Sequence, residues 1–167
     1  MSTEAGDPIS AHGGGGLVDL KAPAAERAAK VRQAEGLKTV RLSARDLADL
    51  EMLASGAFSP LTGFMGEADY VRSRDEMRLA SGVPWSIPIT LGVSEAEARA
   101  LKPGEEIALV GSDGGRLATM KLAEVYRVDR AREAEAVFGT ADPAHPGAAN
   151  VLATPPWCLG ASVTLLS

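Results

Sequence analysis

The chain has 167 residues, of which 46% are hydrophobic and 23% are charged, and its net charge is −5. This composition is typical of one globular domain, and the excess of 22 Asp and Glu over 17 Lys and Arg argues against nucleic acid as a partner. The sequence has one cysteine, no secretory signal and no apolar run of about 20 residues, so it predicts a soluble, cytoplasmic protein without a membrane partner.

The first 36 residues are rich in Ala, Gly and Glu and predict an N-terminal extension that is partly flexible. Its glycine run, HGGGGLVDL at 12–20, offers consecutive backbone amides, but it lacks the Lys-Ser/Thr of a Walker A loop and the flanking strand of a Rossmann loop. A turn is therefore the preferred interpretation, with nucleotide binding as the alternative. Residues 22–36 predict a short helix with Ala28 and Val31 on a weak apolar face.

Two helices are predicted on either side of a loop. LKTVRL, 37–42, predicts a strand, after which Ser43 starts a helix in a capping box with Asp46, and Gly56 ends it. The predicted buried face of this helix consists of Leu47, Leu50, Met52, Leu53 and Ala54. The segment that starts at residue 67 predicts the second helix, with Gly82 beyond its end. Its apolar residues are Tyr70, Val71, Met77 and Leu79.

The second half of the chain alternates short strands with short helices. IPITLGV, 87–93, predicts a strand that starts or lies at an edge at Pro88, because proline has no amide donor. Ser94 and Glu97 form another capping box. Further elements are predicted as hairpin strands at 106–111 and 116–128 around the turn SDGG, a helix at 130–139 and a last strand at 157–167. Five or six short strands with interleaved helices predict an α+β fold around a strongly bent sheet or barrel.

Potential metal ligands and nucleophiles are few. His12, His145 and Cys158 are not spaced as a metal site, and the sequence predicts neither a metal nor a catalytic residue. Cys158 lies between two apolar residues, which is typical of a buried, inert thiol. His145, in FGTADPAHPG, could act as a base, but the flanking prolines and Asp142 favour a rigid turn with a hydrogen-bonded histidine.

The loop GAFSPLTGFM, 56–65, holds two of the three phenylalanines. Pro60 fixes its own φ, and Gly63 permits a positive φ. The hydroxyls of Ser59 and Thr62 can bind nearby backbone, so the loop is expected to have one rigid shape. Its apolar side chains either pack between the two helices or present an apolar surface to something outside the chain; they are Phe58, Leu61, Phe64 and Met65.

Four segments occur in the order and approximate spacing of one known family: HGGGGLV, LSARDLADLEMLASGAFSPLTGFMGEADY, MRLASGVPWSIPITLGV and EAVFGTADPAHPG. From about residue 9 to 167 they resemble the N-terminal PUA-like domain of ATP sulfurylase, sulfate adenylyltransferase. The resemblance implies a PUA-like mixed β-barrel or bent sheet at 37–167, preceded by the extension at 1–36. Candidate residues for the structural loop and for interdomain contact are Phe58, Ser59, Pro60, Thr62, Gly63, Phe64, Met65, Asp142, His145 and Pro146.

The family joins ATP and sulfate to give adenosine 5′-phosphosulfate and pyrophosphate with Mg²⁺, and the resemblance assigns this chemistry to a separate nucleotidyltransferase domain. The family motifs Q-x-R-N, H-x-x-H and G-R-D-H cannot occur here, because the single Gln33 and the single Asn150 are far apart and His12 and His145 lie towards opposite ends. The chain is therefore expected to be a truncated member that lacks the catalytic domain, binds no cofactor and is inactive alone.

Two alternatives remain open. PUA-like domains elsewhere bind RNA, although the negative charge and the lack of an aromatic and basic surface oppose that function here. A stand-alone scaffold would instead pair with a separate catalytic chain or form homo-oligomers. The expected partners are accordingly a catalytic ATP sulfurylase domain, in cis or in trans, and a second copy of the chain.

Overall fold

The computed structural model describes residues 10–166. Its helices are α1 (Ala24–Ala34), α2 (Ala44–Ala54), α3 (Glu67–Glu76), α4 (Glu95–Ala100), α5 (Arg130–Phe138) and α6 (Pro146–Ala153). Its strands are β1 (Lys38–Arg41), β2 (Gly63–Phe64), β3 (Leu91–Val93), β4 (Glu106–Val110), β5 (Arg116–Lys121), β6 (Glu124–Arg127) and β7 (Trp157–Leu165). Within this part of the chain, no helix is both long and apolar enough to cross a bilayer.

The sheet is organised around β7. The strand order is β1-β4-β5-β7-β2, and β3 and β6 also pair with β7. β1 and β4 are parallel, whereas the strands on β7 are antiparallel to it. A strand has only two edges, so four partners must share its length: β3 and β6 pair with its first half, β2 and β5 with its second. The sheet therefore curls, and the curled mixed sheet with its helices confirms the predicted α+β fold.

The main core lies between the sheet and α2. Leu50 and Leu53 of α2 are buried in one cluster with strand residues such as Ile107 and Leu159. Both predicted capping boxes are present, at the N-termini of α2 and α4. Met52 was expected on the buried face, but it is 42% exposed. It follows Leu50 by two residues, which turns its side chain by about 200° around the helix, so that prediction is wrong.

The second predicted helix ends earlier than its apolar residues predict. α3 ends at Glu76, and Met77 caps it with a φ of 53° in the left-handed region. Met77 consequently leaves the helix and is 63% exposed. Val71, which follows the buried Tyr70 by one residue, is 37% exposed on the outer side of α3.

The strand boundaries also differ from the prediction. β3 begins at Leu91 and not at Ile87, which leaves Pro88 ahead of the ladder. The strand expected at 116–128 is two strands, because β5 pairs with the end of β7 and β6 with its beginning. Leu122 and Ala123 carry the chain between them. The short β2 brings the number of strands in the described residues to seven.

Part of the N-terminal extension joins the sheet. Lys21 forms a parallel bridge with Leu165, and Leu20 on one side of it is buried. α1 is present as predicted, but Ala28 and Val31 are exposed and the sheet side of the helix is marked by the buried Ala34. The predicted apolar face of α1 is therefore wrong. The domain boundary between residues 36 and 37 stays a prediction.

Candidate functional site

Most of the loop 56–65 belongs to the core. Leu61, Phe64 and Met65 are buried in the main hydrophobic cluster. Phe64 lies on the two-residue strand β2, which pairs with Ala161 and Ser162 of β7. These three side chains are packed, but their cluster contains residues of α2 and the sheet and none of α3, so the predicted position between the two helices is wrong.

Hydrogen bonds fix the loop's polar groups. The Ser59 hydroxyl donates to the Gly56 carbonyl oxygen at 2.6 Å and accepts from the Val18 amide at 2.9 Å. The Thr62 hydroxyl lies 2.8 Å from that of Ser162. Ser59 therefore bonds to backbone as predicted, whereas Thr62 bonds to a distant side chain on β7 instead of nearby backbone.

Gly63 serves a close approach and not a special turn. A Cβ on Gly63 would overlap the carbonyl oxygen of Ala161 and the backbone of Ser162. The expected positive φ is found at Gly56 (76°) and not at Gly63. The conformational reason predicted for Gly63 is therefore wrong, and the contact between β2 and β7 replaces it.

Phe58 is the aromatic side chain of the loop that reaches the surface. Its half-buried ring meets Trp85 edge-on, with centroids 5.8 Å apart. The ring of His12 lies 6.0 Å from the same Trp85 ring, and its Nε2 lies 2.6 Å from the Pro84 carbonyl oxygen. The glycine-rich turn thus contributes its histidine to an aromatic cluster.

These rings line an open groove of about 770 Å³, which we name the Trp85 groove. Met77 and Ile87 form more of its apolar lining and are 63% and 41% exposed. The charged side chains around it are Arg45, Asp49, Glu76 and Arg78. The groove therefore combines an apolar lining with charges of both signs.

Backbone hydrogen bonds hold one wall of the Trp85 groove in shape. The Trp85 amide donates to the Met77 carbonyl oxygen, and the Leu79 amide donates to that of Val83, each at 2.8 Å. The Trp85 indole N–H donates to the Ile87 carbonyl oxygen, also at 2.8 Å. Because these polar groups bond to one another, the wall offers mainly its apolar atoms to an incoming group.

The charged side chains around the groove bond to or lie near other groups of the chain. Glu76 accepts from the Arg72 guanidinium at 2.8 and 3.1 Å, and Arg78 donates to the Gly82 carbonyl oxygen at 3.0 Å. Arg45 and Asp49 are 4.0 Å apart. Desolvation by burial raises the pKa of the Asp49 carboxyl. Glu76 and Asp49 therefore each lie near an arginine, whereas Arg78 has a neutral carbonyl oxygen as its partner.

The DPAHPG segment, which was predicted to be a rigid turn, contains the start of helix α6. His145 is the N-cap of α6, and its Nδ1 accepts from the Ala148 amide at 3.2 Å. Pro146 occupies the first turn, where an amide has no intrahelical partner. The Asp142 carboxylate accepts from the Ala144 amide at 2.8 Å. The hydrogen-bonded histidine is confirmed, while the turn prediction missed α6.

The two groups of predicted site residues belong to different parts of the molecule. The His145 ring lies 5.2 Å from Phe138, which packs on the small α5–α6 cluster. Phe64 and Met65 lie instead in the main core. The two groups therefore belong to two different hydrophobic clusters.

A buried polar network joins α3, α5 and β7. Arg130 and Glu133 are 7% and 5% exposed, with Nη1 and Oε2 2.7 Å apart. The Tyr70 hydroxyl donates to the same carboxylate at 3.0 Å. Arg130 also donates to the Pro155 carbonyl oxygen at 2.9 Å and lies 3.2 Å from the Cys158 Sγ. The guanidinium is thus fully engaged in holding elements together.

The same environment determines the state of the thiol. Burial raises the pKa of Cys158 to about 11, because ionisation would place a charge in a desolvated site. Burial and the Glu133 charge likewise raise the pKa of Tyr70. A thiol that stays neutral is a poor nucleophile. The prediction that Cys158 is buried is confirmed, and its inertness stays a prediction.

A second cavity, of about 400 Å³, lies beside the network. It includes Arg130 and the N-caps of two helices. Ser43 donates to Asp46 and Ser94 donates to Glu97, each at 2.6 Å. Both cap serines therefore donate within their own capping boxes and not into the cavity.

A site for ATP with Mg²⁺ would combine backbone amides that receive phosphate oxygens with oxygen ligands for the metal. Among residues 10–166, no group of three or more His, Cys, Asp and Glu lies where it could hold a metal ion. The glycine run at 13–16 leads into irregular chain and not into a helix N-terminus. The glycine run therefore lacks the helix N-terminus at which phosphate groups commonly bind.

Sequence reasoning missed the Trp85 groove and the Arg130 network. The signal for the groove is PWSIP at 84–88, where two prolines hinder strand pairing around Trp85 and Ile87. The signal for the network is Glu133 three residues after Arg130, a spacing at which helical side chains meet.

The chain is similar to proteins of known family. The PUA-like domain family matches residues 9–167. The chain is 51% identical to a sulfate adenylyltransferase of Symbiobacterium thermophilum over 95% of this chain and 40% of the relative. It is 44% identical to a probable bifunctional SAT/APS kinase 2 of Sorangium cellulosum, covering 95% of this chain and 27% of that protein.

A solved structure agrees. A hexameric APS kinase from Thiobacillus denitrificans superposes with a TM-score of 0.72 at 31% identity, covering 96% of this chain and 27% of that one. The chain thus spans about two fifths of the length of the sulfate adenylyltransferases that it matches.

Proposed function

Because this chain belongs to the PUA-like domain family, we propose that it is the structural, non-catalytic domain of a sulfate adenylyltransferase. The observation that carries the proposal is the 51% identity to the Symbiobacterium thermophilum enzyme over 95% of this chain and only 40% of that enzyme. The remainder of such an enzyme would supply the catalytic residues.

The proposed whole enzyme joins ATP and sulfate to give adenosine 5′-phosphosulfate and pyrophosphate, with ATP and Mg²⁺ bound outside this domain. That reaction requires cationic and amide donors that converge on a highly charged transition state. In this chain Arg130 is buried in a structural network, and His145 Nδ1 caps α6. These groups serve the fold, so the chain alone is proposed to be inactive.

The contact with the catalytic domain is proposed to involve both predicted surfaces. On the loop, Phe58, Pro60 and Thr62 retain accessible surface, whereas Ser59, Gly63, Phe64 and Met65 support the loop from within. On the other surface, the exposed residues are Asp142, His145 and Pro146.

The proposed partner is a catalytic sulfate adenylyltransferase domain, in cis or in trans, in the cytoplasm. Homo-oligomers are proposed as well, because the structural relative of Thiobacillus denitrificans is a hexamer.

The test compares this chain with a chimera in which it replaces the matched region of the Symbiobacterium thermophilum enzyme. Pyrophosphate release from ATP and sulfate is expected from the chimera and the parent enzyme, but not from the chain alone. Activity that follows the isolated chain through chromatography would contradict catalytic silence. A folded but inactive chimera beside an active parent would contradict the assignment to this enzyme.

A further inference from the structure

We infer that the Trp85 groove is the binding site for an apolar segment of the catalytic domain, an inference that rests on the proposed function. The groove combines Met77 at 63% exposure with Ile87 at 41%, beside the half-buried rings of Phe58 and Trp85. Scattered exposed apolar residues are common, but a contiguous apolar groove marks a contact.

The groove is shaped before anything binds. The hydrogen bonds from Trp85 to Met77 and Ile87, and the bridge between Arg78 and Pro84, hold its wall without help from a partner. A preformed surface loses little conformational entropy on binding. An incoming side chain therefore meets a fixed apolar lining.

The charges favour a partner that is apolar at the contact. Glu76 is paired with Arg72, and Arg45 lies 4.0 Å from Asp49. Arg78 donates to the neutral Gly82 carbonyl oxygen, so it leaves one positive charge on the rim without a carboxylate partner. A nucleic acid or an acidic peptide would require several unpaired cations, whereas Arg45 lies near Asp49 and Arg78 alone would face it without a carboxylate partner. The groove therefore suits an aliphatic or aromatic side chain of the partner that is surrounded by polar residues.

A domain of the same polypeptide fits better than a second copy. The groove is concave, so two copies meeting face to face would enclose space and not fill it. Each copy also carries a net charge of −5. In contrast, the sulfate adenylyltransferase relatives have about three fifths of their length outside the matched region. A linked domain meets the groove at an effective concentration of roughly millimolar, at which a modest apolar contact suffices.

The experiment is hydroxyl-radical footprinting of the isolated chain and of the chimera described above. Met77 and Trp85 report on the groove, while Met52, 42% exposed and outside the groove, serves as the internal reference. Oxidation of Met77 and Trp85 is expected to fall several-fold in the chimera relative to Met52.

Variants then separate contact from folding. Met77→Glu and Ile87→Glu are expected to restore oxidation of Trp85 in the chimera and to lower its thermal stability, with little change in the melting of the isolated chain. Val71→Glu is the matched control, since Val71 is 37% exposed on α3 and does not line the groove. It is expected to change neither readout.

The outcomes distinguish this inference from the proposed function. An active chimera in which Met77 is oxidised as fast as in the isolated chain would overturn the groove assignment and leave the proposed function intact. An isolated chain that dimerises, protects Met77 and becomes monomeric on Met77→Glu would assign the groove to a second copy and overturn the inference. A folded, inactive chimera would overturn both.

Discussion

Neutralising Glu133 should lower the free energy of unfolding, because Glu133 is the counter-ion of the buried Arg130. Glu133→Gln keeps the size and shape of the side chain but removes the charge that faces Arg130 at 2.7 Å. Both side chains are more than nine-tenths buried, so the guanidinium would remain desolvated without its counter-ion. Breaking one partner of such a pair costs about 3–5 kcal/mol of unfolding free energy. For a domain of this size, that corresponds to a fall in Tm of roughly 10 °C.

The assay is chemical and thermal unfolding followed by circular dichroism. The matched control is Glu95→Gln, which removes a contact of 2.6 Å to Arg99 in a pair whose side chains are 58% and 77% exposed. An exposed pair contributes close to nothing, so this variant should unfold like the parent. Replacing both partners, as in Arg130→Met with Glu133→Leu, should recover much of the loss. Equal stabilities for Glu133→Gln and Glu95→Gln would refute the reasoning.

Three further predictions concern single residues. Phe64→Ala should lower the free energy of unfolding by about 3–5 kcal/mol in urea titrations, because Phe64 fills the core; a loss below 1 kcal/mol would contradict its role. Gly63→Ala should destabilise the fold through the clash with Ala161, whereas alanine at the open Gly15 should not. Cys158 stays neutral in the fold up to a pKa of about 11, while the unfolded thiol ionises earlier, so stability should fall as pH rises from about 9 to 11. Cys158→Ala should show a smaller fall over the same pH range.

Local signals in the sequence predicted much of the secondary structure. Ser43 with Asp46, and Ser94 with Glu97, are three residues apart, so each capping box is contained in one turn of chain. The end of α5 at Gly139 could also be predicted from a local signal, because glycine adopts the left-handed φ of 72° without a steric penalty.

Features that depend on distant partners could not be predicted. The break between β5 and β6 reflects which residues of β7 each strand meets. The need for glycine at position 63 arises from Ala161 on another strand. Similarly, Trp85 lines a groove only because Met77 leaves α3 and the 56–65 loop places Phe58 opposite. Burial of these residues depends on tertiary packing, which sequence periodicity does not encode.

The buried network and the Trp85 groove are connected through α3. Tyr70, on the inner side of α3, donates to Glu133, and Met77, at the C-terminal end of the same helix, lines the groove. A helix of ten residues transmits a shift at one end to the other, because its backbone bonds resist bending. Burying Arg130 and Glu133 costs free energy, and a role in positioning α3 is consistent with that cost. The network holds α3, and α3 sets where Met77 stands relative to Trp85, so Glu133→Gln should also increase oxidation of Trp85 in the isolated chain before global unfolding.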